Sequence, residues 1–248
     1  PHDFEDVEVK INAPELLEQE LRRKRKRCMI GNGAMCDPYL HAEEKLELTR
    51  QCLKVIDRNE FGVSVLTKSA RILRDADLLD SINRKAKTVV QMTLTTYEER
   101  LCRIVEPNVS TTKERFEVLM EMKQRGIPTM VWLCPILPQI NDSRENLEGI
   151  LEYCRQAAVK GIVSFGIGMT LREGNREYYY AVLDRSFPGL KQQYMRTYGD
   201  AYEIPSRNGT ELEARLREFC RENGMLYRTE ECFAYLRELP ERYVQESI

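Results

Sequence analysis

The chain has 248 residues, 42% of them hydrophobic, which is enough apolar material for one main core and a small appendage. Its 38 Lys and Arg nearly cancel 40 Asp and Glu, for a formal net charge of -2, so nucleic-acid binding through overall charge is disfavoured. No apolar run reaches the roughly 20 residues of a membrane span and no secretory leader is evident, so a soluble, cytoplasmic protein with no membrane partner is expected.

In chain order, a helix is predicted over residues 13–27, with Pro14 at its start, Glu15 and Glu18 early, and basic residues at 22–27, an order that suits the helix dipole. Short β-rich runs begin near Cys28, Phe61, Thr88, Pro128 and Gly161, separated by helices predicted over 43–59, 76–85, 112–125 and 143–159. Gly62, Gly126 and Gly161 are read as helix stops. The run starts are 33, 27, 40 and 33 residues apart, the length of a strand, a crossover helix and two loops, so the architecture is α/β with parallel strands. After about Pro205 the alternation ends; a helix to Asn223, a Gly224 stop and a charged tail make residues 206–248 a helical appendage on a main domain of residues 1–205.

The eight cysteines include no Cys-x-x-Cys pair and are expected to be reduced, mostly buried fillers: Cys52 falls on a stripe with Leu48, Val55 and Ile56, and Cys154 on one with Leu147, Ile150 and Leu151. With His2 and His41 as the only histidines, triads and His-rich metal sites are disfavoured.

In parallel sheets and barrels ligands sit beyond the carboxyl ends of the strands. The five runs end in Gly31-Asn32-Gly33-Ala34, Thr67-Lys68-Ser69, Thr93-Leu94-Thr95-Thr96, Cys134-Pro135-Ile136-Leu137-Pro138 and Gly166-Ile167-Gly168, a polar set suited to lining one pocket. Gly31-x-Gly33 departs from a dinucleotide fingerprint because Cys36 stands at the third glycine position and Pro38 interrupts a following helix. It reads either as a tight turn or as a ligand-facing segment. Lys68 is either a surface cation or a partner for a carboxylate or ribose hydroxyl, and Thr93 and Thr95 either bond backbone or face a ligand. Residues 22–27 read first as a solvated helix end and second as a phosphate-contacting patch. Tyr178, Tyr179 and Tyr180 read first as packing anchors and second as a base-stacking or radical-carrying group, and Asn141-Asp142 as a turn and helix cap.

Several strings, taken in order, resemble the radical S-adenosylmethionine enzymes, and within them the spore photoproduct lyase-like branch. They are Asp37-Pro38-Tyr39 with Glu43, Lys45 and Leu48-Thr49-Arg50; Leu66-Thr67-Lys68-Ser69 with Arg74-Asp75 and Asp77-Leu78-Leu79; Thr93-Leu94-Thr95-Thr96 with Glu106-Pro107; and Pro135-Ile136-Leu137-Pro138 with Asn141-Asp142. The resemblance covers most of the chain to about Tyr202. It implies a partial (β/α)6 TIM-like barrel without its first strand, S-adenosylmethionine as cofactor, a [4Fe–4S] cluster, an electron donor such as flavodoxin or ferredoxin, and a 5′-deoxyadenosyl radical that abstracts hydrogen from a substrate. By position it implies that Gly31, Asn32, Gly33 and Ala34 receive the cofactor's amino group, that Lys68 and Thr93, with Thr95 nearby, meet its carboxylate or ribose, and that Gly166 and Gly168 admit its adenine. The family's Cys-x-x-x-Cys-x-x-Cys is not in the sequence, and Pro1-His2-Asp3-Phe4 resembles the segment just downstream of that motif, so the chain reads as the core of an enzyme whose cluster ligands lie upstream. Cys36 stands where Ser or Thr is usual and is expected to be buried. Two other functions stay open: a cluster-less pseudoenzyme that binds a nucleotide-like ligand or a partner protein, and a nucleic-acid repair or binding protein.

Overall fold

The computed structural model describes residues 7–240; the expectation for Pro1-His2-Asp3-Phe4 lies outside them. Five parallel strands, β1 (Met29–Asn32), β2 (Gly62–Thr67), β3 (Thr88–Thr93), β4 (Thr129–Trp132) and β5 (Gly161–Val163), stand in sequence order in one sheet. Each begins within one residue of the start read from the sequence; β2, β3, β4 and β5, buried on both faces, appear as near-continuous apolar runs.

Helices carry the chain between strands: α1 (Ala13–Arg23) before β1, α2 (Glu43–Leu46) and α3 (Leu48–Arg58) before β2, and α4 (Ala76–Lys85) before β3. Then α5 (Glu99–Val105) and α6 (Thr112–Gln124) precede β4, and α7 (Arg144–Ala157) precedes β5. The single helix expected over 43–59 is broken at Glu47, whose φ of 49° is left-handed. The break is stabilised by the Glu43 carboxylate, which accepts the backbone N–H groups of Thr49 and Arg50 at the start of α3. Of the three glycines expected to stop helices, Gly126 does so, with φ +67°. Gly62 and Gly161 instead open strands. A Cβ would lie 2.3 Å from Met29 Sδ at the first and 2.7 Å from the Leu226 carbonyl oxygen at the second.

Alternation along the strands divides two cores. Val63, Val65, Val90, Met92, Val131 and Ile162 meet the helices on the outer face. On the inner face Val89, Met130 and Val163 pack against Cys232 and Leu236 of α11 (Thr229–Arg237), so the helical C-terminal part fills the hollow of the partial barrel. Lys87 fastens that plug by donating to the carbonyl oxygens of Tyr235 (2.6 Å) and Glu238 (2.8 Å). Between β5 and α11 the chain adds a lobe that the sequence reading lacked: a two-stranded antiparallel sheet, β6 (Gly168–Thr170) with β7 (Glu203–Pro205), and the helices α8 (Asn175–Ser186) and α9 (Leu190–Tyr198). Its small core contains Tyr180, Leu183, Tyr194 and Ile204. Then α10 (Gly209–Glu222) lays Leu212, Leu216 and Phe219 on the main core.

Cys102, Cys154, Cys220 and Cys232 are buried fillers as expected; Cys28, Cys52 and Cys134 are half-buried, and Cys36, expected inside, is exposed. No helix among the described residues is long and apolar enough to cross a membrane.

Candidate functional site

The carboxyl ends of the strands open into a cleft of about 970 Å³, at the upper end of the range of small-molecule sites. Gly33 and Ala34 border it beyond β1, Thr67 at the end of β2 and Lys68 just after it, Thr93 at the end of β3, and Gly166 and Gly168 beyond β5. Gly31 and Asn32 are held within β1, opposite Ser64 and Val65, and do not line the cleft. Thr95 lies past the end of β3, buried, where its carbonyl oxygen accepts from Asn141 and Asn146.

Charge is organised on the β1–β3 side. Asp37 accepts the Tyr39 N–H (2.9 Å) and the Thr67 hydroxyl (2.7 Å) on one oxygen and the Lys68 backbone N–H (2.8 Å) on the other. It thereby ties the turn after β1 to the end of β2. Gly33 makes this approach possible: its φ is +92°, and a Cβ there would lie 1.9 Å from the Leu66 carbonyl oxygen. Behind the turn, fully buried Asp75 receives Arg50 (2.7 Å), Arg74 (2.9 Å) and the Tyr39 hydroxyl (3.1 Å), while Arg74 also binds Glu43 (2.9 Å). Burial and the Asp75 carboxylate push the Tyr39 phenol far above its ordinary range, so it stays a donor. The Asp37-Pro38-Tyr39, Glu43, Arg50 and Arg74-Asp75 strings of the sequence are therefore one ionic frame.

The Lys68 ammonium, one-third exposed, lies 2.5 Å from Glu106 Oε1. The other oxygen of Glu106 lies 2.9 Å from Arg115 Nη1, and that guanidinium has no exposed surface. Arg115 also donates to the carbonyl oxygens of Thr93 (2.9 Å) and Ser110 (2.7 Å). Burial opposes ionisation of Glu106, but the cations of Arg115 and Lys68 outweigh it and hold the carboxyl below its usual range. In the sequence Glu106 stands out only as part of a matching string, and Arg115 does not stand out at all. A signal existed: Thr112, Arg115, Leu119 and Met122 form the buried stripe of α6, with a cation on it.

The β4–β5 side is aromatic. Trp132 meets Phe165 at a centroid distance of 5.7 Å and Phe233 of α11 at 6.0 Å. Its ring N–H donates to Gln91 (2.8 Å), which donates in turn to Ser64 (2.8 Å), a polar thread across the inner face. Phe165 is 61% exposed although it borders the cleft. Burial pushes the Cys134 thiol up to about 11, against the pull of Lys68, so it is protonated at neutral pH.

The fit to S-adenosylmethionine can be judged from these groups. An ammonium, the Thr93 hydroxyl, a turn that only glycine can make and an aromatic wall share one cleft of adequate volume, which suits a ligand with a carboxylate, a ribose and a flat base. An iron–sulfur cluster does not fit the same residues. No group of three His, Cys, Asp or Glu side chains able to hold a metal is assembled among the described residues.

The tyrosines and the basic run lie elsewhere. Tyr180 is buried in the lobe, Tyr179 donates to the Tyr194 hydroxyl (3.1 Å), and Tyr178 is exposed. Residues 22–27 span the end of α1 and the approach to β1, at the amino end of the sheet and away from the cleft. Arg22 pairs there with Glu18 and Arg27 with Glu60.

No protein-family model matches the chain. An uncharacterized protein of Mycobacterium tuberculosis is 29% identical over 222 residues, 89% of this chain and 62% of that protein. An uncharacterized protein of Methanocaldococcus jannaschii is 27% identical over 200 residues, 81% of this chain and 66% of that protein. The chain thus spans 62% of the length of its Mycobacterium relative. Among solved structures, a spore photoproduct lyase mutant with bound AdoMet and dinucleoside spore photoproduct superposes with a TM-score of 0.61 at 13% identity, covering 89% of this chain and 67% of that one. Streptococcus suis SuiB bound to its precursor peptide SuiA gives a TM-score of 0.52 at 11% identity, covering 91% and 43%. These likenesses show the fold: the chain shares the α/β architecture of spore photoproduct lyase and SuiB, five parallel strands in sequence order with helices between them.

Proposed function

We propose that this chain is the cofactor-binding core of a radical S-adenosylmethionine enzyme. The observation that carries the reading is the cleft at the carboxyl ends of the strands, where Lys68, Thr93, the Gly33 turn and an aromatic wall converge within a fold shared with an AdoMet-bound neighbour. Bound S-adenosylmethionine would supply radical chemistry for hydrogen abstraction if a reduced cluster stood beside it, and these residues would hold the S-adenosylmethionine alone.

The chain's own residues bind and orient. Lys68 takes the cofactor's carboxylate and Thr93 a ribose hydroxyl; Gly33 and Ala34 border the place of the amino group, with Gly31 and Asn32 forming the strand beneath. Gly166 leaves room for adenine near Phe165, whereas the missing side chain of Gly168 admits the Ile204 carbonyl of β7. Thr95 supports this set through its backbone contacts. Inner-face packing of α11 closes the barrel floor and keeps water from the far end of the cleft.

The substrate is not a family constant: of the two solved neighbours, one carries a dinucleoside photoproduct and the other a precursor peptide. The cleft rim beyond the cofactor residues is formed by the lobe and α10, with Arg172 of one sign and Glu203 and the α10 residue Glu213 of the other. That mixed rim gives no particular support to a polyanion, and the basic run at the opposite end of the sheet does not add to it. Eight free cysteines support a reducing, cytoplasmic setting, with electrons from a flavodoxin- or ferredoxin-like donor.

The test is anaerobic reconstitution, with iron and sulfide, of the protein as its gene encodes it, and then an assay for 5′-deoxyadenosine. Product is the expected result. A folded protein that takes up no cluster and forms no product would replace this reading with the cluster-less one.

A further inference from the structure

Lys68 reaches the cleft on four rotatable carbons, and an ammonium on such a stem is poorly placed to recognise one carboxylate unless something holds it. Immobilising a free lysine side chain costs rotamer entropy at the moment of binding. Here the ammonium is already held, 2.5 Å from Glu106. Holding it with a carboxylate raises a second problem, because a simple Lys–Glu pair is neutral and offers a ligand carboxylate no net attraction.

Arg115 resolves that problem. Its guanidinium lies 2.9 Å from the other oxygen of Glu106, so two cations face one anion and the group keeps a formal surplus of one positive charge. Arg115 has no exposed surface and cannot reach a ligand, whereas Lys68 is one-third exposed on the cleft. The surplus charge is therefore presented by Lys68 alone. The same guanidinium donates to the Thr93 carbonyl oxygen, so it sets the second polar residue of this end of the cleft as well.

We propose that Glu106 is a positioning residue that holds the Lys68 ammonium in place for a ligand carboxylate, with buried Arg115 neutralising Glu106 so that Lys68 stays attractive to the ligand. This rests on the reading of the cleft as an S-adenosylmethionine site. It adds a specific claim: Glu106 acts through Lys68 and governs recognition of the carboxylate end only.

The experiment is isothermal titration of the 248-residue chain with S-adenosylmethionine and with decarboxylated S-adenosylmethionine, which keeps the sulfonium, ribose and adenine. Wild type is expected to prefer the carboxylated compound by about tenfold, the scale of one charge-assisted hydrogen bond. Lys68→Met abolishes that preference. Glu106→Asp keeps the charge but shortens the arm; it lowers the preference about threefold while leaving the affinity for the decarboxylated compound unchanged. In a Lys68→Met background Glu106→Asp changes neither affinity. An unaltered preference in Glu106→Asp, an equal loss for both compounds, or an effect that persists without Lys68 would each overturn the inference and leave the cofactor reading standing. No saturable binding of either compound to wild type would remove the cofactor reading and the inference together.

Discussion

The two sides of the cleft are built on opposite principles. On the β1–β3 side, Asp37 holds the Lys68 backbone while Lys68, Glu106 and Arg115 form a chain of paired charges, so that each polar group is fixed before any ligand arrives. On the β4–β5 side, Trp132, Phe165 and Phe233 meet as rings, and the outermost ring remains 61% exposed. The first side has spent its stability on preorganisation, since a buried ion pair returns little net energy but is costly to break. The second has left apolar surface uncovered, which returns energy only when a ligand covers it. Substitutions on the two sides should therefore fail differently, the first in folding as well as binding and the second in binding alone.

The largest effect is expected from Arg115→Met, which leaves the Glu106 carboxylate nearly buried with one counter-ion. Urea denaturation should show a loss of about 3–5 kcal/mol, and a loss below about 1 kcal/mol would mean that the charged side is not preorganised as described. Gly33→Ala should come next, at about 1–3 kcal/mol, because a left-handed turn gains a Cβ against the Leu66 carbonyl. It should also weaken S-adenosylmethionine binding, measured by titration.

A pH series sharpens the contrast. The folded Glu106 carboxyl ionises below its usual range, so its contribution to stability is complete above the unfolded value of about 4.3 and is lost as pH falls through the lower folded value. The stability gap between wild type and Glu106→Gln should be widest at neutral pH and close in acid, as read from urea midpoints. A gap independent of pH would mean that the carboxylate charge contributes nothing. The smallest stability effect is expected on the aromatic side: Phe165→Ala should change stability by no more than about 0.5–1 kcal/mol yet weaken binding of adenosine-containing ligands. Unchanged binding would remove Phe165 from the site.

The sheet was legible for a simple reason. Strands such as Val63 to Val65 and Val89 to Met92 are buried on both faces, so they read as largely apolar runs broken only by Ser64 and Gln91, and their spacing records the crossovers. The lobe left no such trace, because Gly168–Thr170 and Glu203–Pro205 are three residues each and lie far apart in sequence, too short for any period. Likewise α11 reads as a charged tail helix; that its Cys232 and Leu236 fill the barrel depends on the hollow left by other strands. Lys68 and Thr93 border the cleft, a position legible in the sequence because they lie at the ends of strands. Arg115 is not legible there, because a buried cation is intelligible only with Glu106, and the loop that brings Glu106 back to Lys68 is a tertiary fact.

The most direct test of the account is equilibrium dialysis of the 248-residue chain against radiolabelled S-adenosylmethionine, wild type beside Lys68→Ala. The account predicts saturable binding near one equivalent to wild type, competed by S-adenosylhomocysteine and weakened about tenfold or more in the variant. Saturable binding of equal strength in both proteins would contradict the assignment of Lys68, and no saturable binding in either would contradict the central claim.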